Sequence, residues 1–166
     1  MGAGKTTLGK AFAQKLHISF IDLDWYIEER FHKTVGELFT ERGETGFREL
    51  ERTMLHEVGA FEDVIISTGG GAPCFFDNMD FMNRSGQTVF LNVSPDVLFH
   101  RLRVAKQQRP ILQGKKDNEL KDFIVQALEK RAPFYSQAQY TLNAAELDDR
   151  EQIERTVGRL QELLKA

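Results

Sequence analysis

The sequence opens on Gly2-Ala3-Gly4-Lys5-Thr6-Thr7. Glycine-rich backbone leading into a helix, followed by lysine and threonine, is chemistry for phosphate. The N–H groups and the helix N-terminus cradle the anion, the lysine reaches the terminal phosphates, and the hydroxyl meets Mg²⁺. Gly4-Lys5-Thr6 fit the last three positions of that phosphate-loop pattern, and its leading glycine would fall ahead of Met1. A glycine-rich start to an amphipathic helix is the plainer alternative. Asp22-Leu23-Asp24 closes a short apolar segment. Side chains alternate along a strand, so both carboxylates are expected on one face, suited to metal binding and to polarising a hydroxyl. An ordinary helix cap at Asp24 competes with that reading.

Three further groups carry chemistry. Gly69-Gly70-Gly71 follows an apolar strand pattern, and bare backbone there admits a ligand closely, where a simple turn needs one glycine. Arg109-Pro110-Ile111-Leu112 lies in a polar stretch between helices, where an arginine can close over a transferring phosphoryl group. Arg48 and Arg131 sit on helical segments, and arginine matches a carboxylate bidentately. Each of these arginines alone reads equally as a solvated charge. His17, His32, His56 and His100 have no metal-ligand spacing. Cys74 has no thiolate-activating neighbour and reads as a packing residue. Trp25 and Phe47 line a pocket or join the core.

These groups need elements to hold them. Leu8, Phe12 and Leu16 recur at helical spacing, as do Phe47, Leu50, Met54, Leu55 and Val58. Thr34 and Glu37 have capping-box spacing. Residues 17–23, 64–67, 88–93 and 140–142 read as strands. Ser94-Pro95 is a cap followed by proline at a helix start, the polar stretch 106–117 precedes a helix running to about Arg131, and Ile153, Val157, Leu160 and Leu164 stripe a last helix. Strands alternating with helices predict a parallel α/β sheet with helices on both faces, and ligands then bind at the carboxyl ends of the strands.

Composition narrows the field. The chain has 166 residues and a net charge of −3. No basic excess is available to neutralise a phosphate backbone, so nucleic acid is not an expected partner. No apolar run approaches the roughly 18 residues a membrane span needs, and no signal peptide is visible. One cysteine excludes an internal disulfide, so a reducing cytoplasm is the expected location. Nothing in the sequence demands an oligomer, and a monomer is expected.

Taken in order, GAGKTT, DLD, FRELE, STGGG, RPIL and RAPFY resemble the shikimate kinase family over nearly the whole chain. The resemblance implies a three-layer P-loop kinase fold, a parallel sheet ordered 2-3-1-4-5, and ATP-dependent phosphorylation of the 3-hydroxyl of shikimate. It implies one domain over 1–166, with a lid segment at about 104–117. Gly2, Ala3, Gly4, Lys5, Thr6 and Thr7 would hold ATP, with Thr6 and Asp22 at Mg²⁺. Asp24 would aim the attacking hydroxyl, and Arg48 and Arg131 would clamp the substrate carboxylate above Gly69, Gly70 and Gly71. Glu51 would orient Arg48, Arg109 would meet the phosphates, and Arg103 would stack on adenine. The family's first, central strand and first loop glycine do not appear here, so that strand is expected to be absent from the sheet. Another small-metabolite kinase of this fold, such as a gluconate kinase, and a weakly active ligand-binding form are the competing readings.

Overall fold

The computed structural model describes residues 2–108 and 117–165. Helix α1 (Lys5–Leu16) leads into strand β1 (Ser19–Asp22), then α2 (Leu23–Phe31) and α3 (Val35–Val58). Strand β2 (Val64–Ser67) ends in the glycine run. A short 3₁₀ turn (Ala72–Cys74) and α4 (Asn78–Ser85) follow it. Strand β3 (Val89–Asn92), α5 (Pro95–Gln108), α6 (Asp117–Tyr135), β4 (Tyr140–Asn143) and α7 (Arg150–Leu164) complete the order.

The strands pair in parallel, β1 with β2 and β3 with β4. These are the 2–3 and 4–5 neighbours of the expected order. Among the described residues no rung joins the two pairs, and no strand is paired between them. An apolar cleft of about 480 Å³ has Ile65 and Ile66 of β2 and Phe90 and Leu91 of β3 in its walls, together with Phe12 and Ile124 from the helices.

Two buried clusters result. One joins Leu8 and Phe12 of α1 to Leu98 and Leu102 of α5, Ile124 of α6 and Val157 of α7. The other joins Leu23 and Ile27 of α2 to Phe47, Leu50, Met54, Leu55 and Val58 of α3. The helical spacing of those five α3 residues thus marks the buried face, as apolar periodicity predicts.

Local chemistry fixes the element starts. Thr34 and Glu37 form the expected capping box at the head of α3. That helix is kinked at Gly43, whose φ of 68° and ψ of 177° are not helical and separate two helical runs, as the sequence pattern also keeps them apart. The expectation for the aspartates needs correction. Strand β1 stops at Asp22, which N-caps α2, while Asp24 lies in that helix's first turn and donates its N–H to Asp22 Oδ1 at 3.2 Å. Capping therefore brings the carboxylates together, and strand alternation does not. Helix α6 also runs past Arg131 to Tyr135, with Pro133 inside it.

Candidate functional site

The phosphate-loop residues turn into α1 on glycines with φ of +65° at Gly2 and +87° at Gly4, values that side-chain-bearing residues rarely adopt. A Cβ on Gly4 would collide with Leu147. Helix α1 has no side-chain cap and no acidic residue in its first turn, so its leading N–H groups remain for a ligand. Gly2, Ala3, Gly4, Lys5, Thr6 and Thr7 line one pocket of about 520 Å³ with Arg101, Leu147 and Asp148.

Thr6 Oγ1 donates to Asp22 Oδ2 at 2.8 Å, tying the loop to the end of β1. Burial lowers the Lys5 pKa, and the Asp24 and Asp22 carboxylates oppose that shift. Burial raises the Asp24 pKa, the Asp22 charge adds to the rise, and Lys5 counters it. Lysine and aspartate therefore act on each other's charge in a poorly hydrated region, which is where perturbed groups collect at functional sites.

Beside them lies a buried ion pair. Arg48 Nη1 donates to Glu51 Oε2 at 2.7 Å, with side chains only 13% and 2% exposed. Their i,i+3 spacing on α3 puts both on one face. The Arg48 guanidinium also packs on Phe75, 4.3 Å from the ring centroid, with Phe39 and Phe47 farther off. Its Nε is buried and has no hydrogen-bond partner among the described residues. Burial raises the Glu51 pKa, and the hydrogen bond from Arg48 offsets part of that rise.

The glycines fit against these charges. A Cβ on Gly69 would lie 3.2 Å from Asp24 Oδ1 and 3.4 Å from Glu51 Oε1. A Cβ on Gly71 would lie 2.6 Å from Arg48 Nη2, so only glycine leaves the guanidinium its place. Arg131 reaches the same region from α6. Its charge acts on Lys5 and on Cys74, and it shares a cavity lining with Gly69 and Gly70. Lys5, Asp22, Asp24, Arg48, Gly69–Gly71 and Arg131 are thus brought to one place.

Other expected residues separate. Arg103 is 54% exposed and pairs with Asp117 at 3.6 Å, outside the loop pocket. Among the described residues, Arg101 is the arginine that lines it. Its guanidinium donates to the Ala145 and Ala144 carbonyls at 2.8 and 3.2 Å and to that of Gly2 at 3.5 Å. The sequence holds no signal that selects Arg101: it lies three residues beyond Leu98, on the face that the structure packs against Gly2, whereas Arg103 pairs with Asp117. Tyr135 was also missed, and its Oη donates to Gly70 O at 2.6 Å. Phe47 is core, and Trp25 is 49% exposed, with Lys10 Nζ 4.5 Å above its ring. Arg109 and most of the expected lid lie outside the described residues.

A family model described as shikimate kinase matches residues 1–161. A shikimate kinase of Bacteroides thetaiotaomicron is 81% identical over 99% of this chain and 94% of its own length. One of Phocaeicola vulgatus is 67% identical over 99% of this chain and 94% of its own. The crystal structure of the Bacteroides thetaiotaomicron enzyme superposes with a TM-score of 0.97, covering 100% of this chain and 94% of that one. A shikimate kinase from Acinetobacter baumannii in complex with shikimate superposes at 0.83 and 31% identity, over 99% of this chain and 89% of that one.

Proposed function

The chain belongs to the shikimate kinase family, and from that premise we propose how its residues carry phosphoryl transfer from ATP to the 3-hydroxyl of shikimate. The observation that carries the reading is the Arg48 guanidinium. It is buried, held by Glu51 along one edge, and its Nε has no partner among the described residues. A planar donor pair held that way suits a carboxylate. Arg131, across the glycine run, supplies the second cation. Gly69, Gly70 and Gly71 bring bare backbone beneath the ring, and Asp24 faces the hydroxyl.

The shikimate oxygen attacks the γ-phosphorus, the bond to the β,γ-bridging oxygen breaks, and ADP leaves with those electrons. The hydroxyl proton passes to Asp24. A raised pKa makes its carboxylate a better acceptor than an ordinary aspartate, provided it is ionised at the working pH. Lys5 and the α1 N-terminus neutralise charge on the phosphates, and the positioning supplies most of the rest. Arg109, outside the described residues, meets the transferring phosphoryl group in this reading. Arg101 borders the phosphate-loop pocket and in this reading lies beside the nucleotide.

Thr6 and Asp22 offer a hydroxyl and a carboxylate within one hydrogen bond, hard oxygen donors of the kind Mg²⁺ takes alongside phosphates and water. Bound there, Mg²⁺ would neutralise phosphate charge. The reading includes one domain over 1–166, acting as a monomer in the cytoplasm with no nucleic-acid or membrane partner. Cys74, whose thiol pKa burial raises, fits a reducing compartment as an unreactive residue. No helix among the described residues is long and apolar enough to cross a membrane.

The test is ADP release in a coupled assay with shikimate and with gluconate. Shikimate-dependent turnover is expected. Equal use of gluconate overturns the substrate. Shikimate binding without turnover selects a ligand-binding form.

A further inference from the structure

Two arginines one turn apart on α3 take hold of the chain just past the glycine run. Arg48 packs on Phe75, its guanidinium carbon 4.3 Å from the ring centroid. Arg52 lies over the next ring, Phe76, at 5.4 Å, and its Nη2 pairs with Asp77 Oδ1 at 2.7 Å. Phe76 has a φ of +50°, a left-handed backbone that an aromatic residue seldom adopts without support. The backbone before it is bonded at short range. The Ala72 N–H donates to Gly69 O at 3.2 Å and the Cys74 N–H to Gly71 O at 2.9 Å. The buried Asn78 donates its side-chain amide to Ala72 O at 2.8 Å and its N–H to Phe75 O at 3.2 Å. Phe75 is thus fixed to the same unit as the glycines. Its ring is half-buried and joins neither buried cluster of the described residues, so core packing does not explain its place.

We infer that Phe75 is a positioning residue for substrate binding: its ring, packed on the Arg48 guanidinium, fixes that guanidinium against the glycine run, so that the donors Glu51 leaves free are aimed at the substrate carboxylate. The inference rests on the reading of Arg48 as a carboxylate partner, and Phe75 acts through Arg48. The bond from Nη1 to Glu51 holds one end of the guanidinium and leaves it free to tilt. The ring resists that tilt by contact and by the attraction of its π face for the cation. A planar fork meets a carboxylate bidentately only when its plane is held. Such preorganisation appears in affinity and not in the chemical step.

Phe75→Leu keeps apolar bulk and removes the π face. Calorimetric titration of the full chain with shikimate and with its uncharged carboxamide reads the tie. The parent chain should prefer the acid. In Phe75→Leu, shikimate binding should weaken roughly 3–30-fold, the range of one cation–π contact, with carboxamide binding within about twofold of the parent's. The ATP KM and kcat at saturation should also stay within about twofold. Phe75→Tyr, which keeps the ring, should bind shikimate like the parent. Equal weakening of acid and amide makes Phe75 a packing group and overturns the inference, as does a loss in Phe75→Tyr equal to that in Phe75→Leu. If the parent prefers the acid and Phe75→Leu keeps that preference whole, the tie is overturned and the carboxylate reading stands. If the parent binds acid and amide alike, both are overturned. Should Phe75→Leu fail to fold, Phe75→Met takes its place, with the same outcomes.

Discussion

The two sides of the site are built on opposite plans. On the α2–α3 side the charges are buried and paired: Arg48 against Glu51, under Phe75 and beside Gly71. On the phosphate-loop side they stand at an open pocket. Arg101 is braced by backbone carbonyls, and its partner Asp148 is 70% exposed. A small carboxylic acid needs fixed, desolvated geometry, since each imperfectly placed charge in a low dielectric is costly. A nucleotide phosphate is large, highly charged and partly hydrated, so backbone N–H groups and one lysine at a helix N-terminus can serve it from a more open site. Lys5 and Asp24 sit where the two plans meet.

The largest expected effect is at that meeting point. Lys5→Met should lower kcat by roughly 10²–10³-fold, the scale of removing one aimed charge-stabilising donor. Burial already lowers the Lys5 pKa, so the fold should lose little when the charge goes. Near-normal kcat would remove Lys5 from the reaction, and a collapsed Tm would make it structural.

Arg131→Ala separates the two sides next. Shikimate binding should weaken roughly 10–150-fold, the range of a charge-assisted hydrogen bond of about 1.5–3 kcal/mol, with ATP binding nearly unchanged. Calorimetric titration with each ligand reads the difference. Equal weakening of both would mean that the sides do not divide the substrates.

The same division sets what could be read from the residues. The α3 face, the capping box at Thr34 and strand β2 were legible because periodicity and capping are local. Arg48, Glu51 and the glycines were legible through the motif order, and their packing explains it: Gly71 leaves no room for a side chain beside Arg48. Asp22-Leu23-Asp24 was picked out with the wrong local geometry, since a cap and a strand end look alike until the helix start is known. Helix α2 escaped notice because its apolar stripe is short. Arg101 and Arg103 lie two residues apart, and only the direction of α5 relative to Gly2 decides between them. Tyr135 depends on a contact between distant segments, which no spacing rule contains.

Gly71→Ala tests how rigid the carboxylate side is. The backbone at Gly71, φ −87°, accepts alanine without strain, so the effect is steric. The new methyl would lie within 2.6–3.0 Å of the guanidinium atoms of Arg48. That guanidinium is held by Glu51 and Phe75, so moving it breaks the alignment a carboxylate needs. The shikimate KM should rise about tenfold with little change in Tm, the low end of losing a charge-assisted bond. An unchanged KM would show that Arg48 swings aside freely, and the contrast between the two sides would weaken.

The smallest effect is one of stability, at Asp24. Its folded-state pKa is raised, first by burial and then by the Asp22 charge. Between the unfolded value, about 3.9, and the raised folded value, the native state keeps a proton that the unfolded chain gives up. Stability from this group therefore falls as pH rises through that window, and the cost stays constant above it. Asp24→Asn removes the cost, so Tm at pH 7 should rise by a few degrees, the scale of about 1 kcal/mol in a chain of this size. The gain stays small because Asp24 keeps some solvent and loses the attraction of Lys5 and Arg48. It should shrink toward zero as melting is repeated at pH values down to about 3.5. Turnover should fall sharply at every pH, because asparagine cannot take the hydroxyl proton. In the parent chain the acid limb of kcat/KM should lie above the ordinary aspartate range, as only the ionised carboxylate accepts that proton. A lower Tm for Asp24→Asn at pH 7 would mean that Lys5 and Arg48 stabilise the aspartate more than burial and Asp22 penalise it. The meeting point of the two sides would then be a structural ion cluster, and not a site that gives up stability to hold a base.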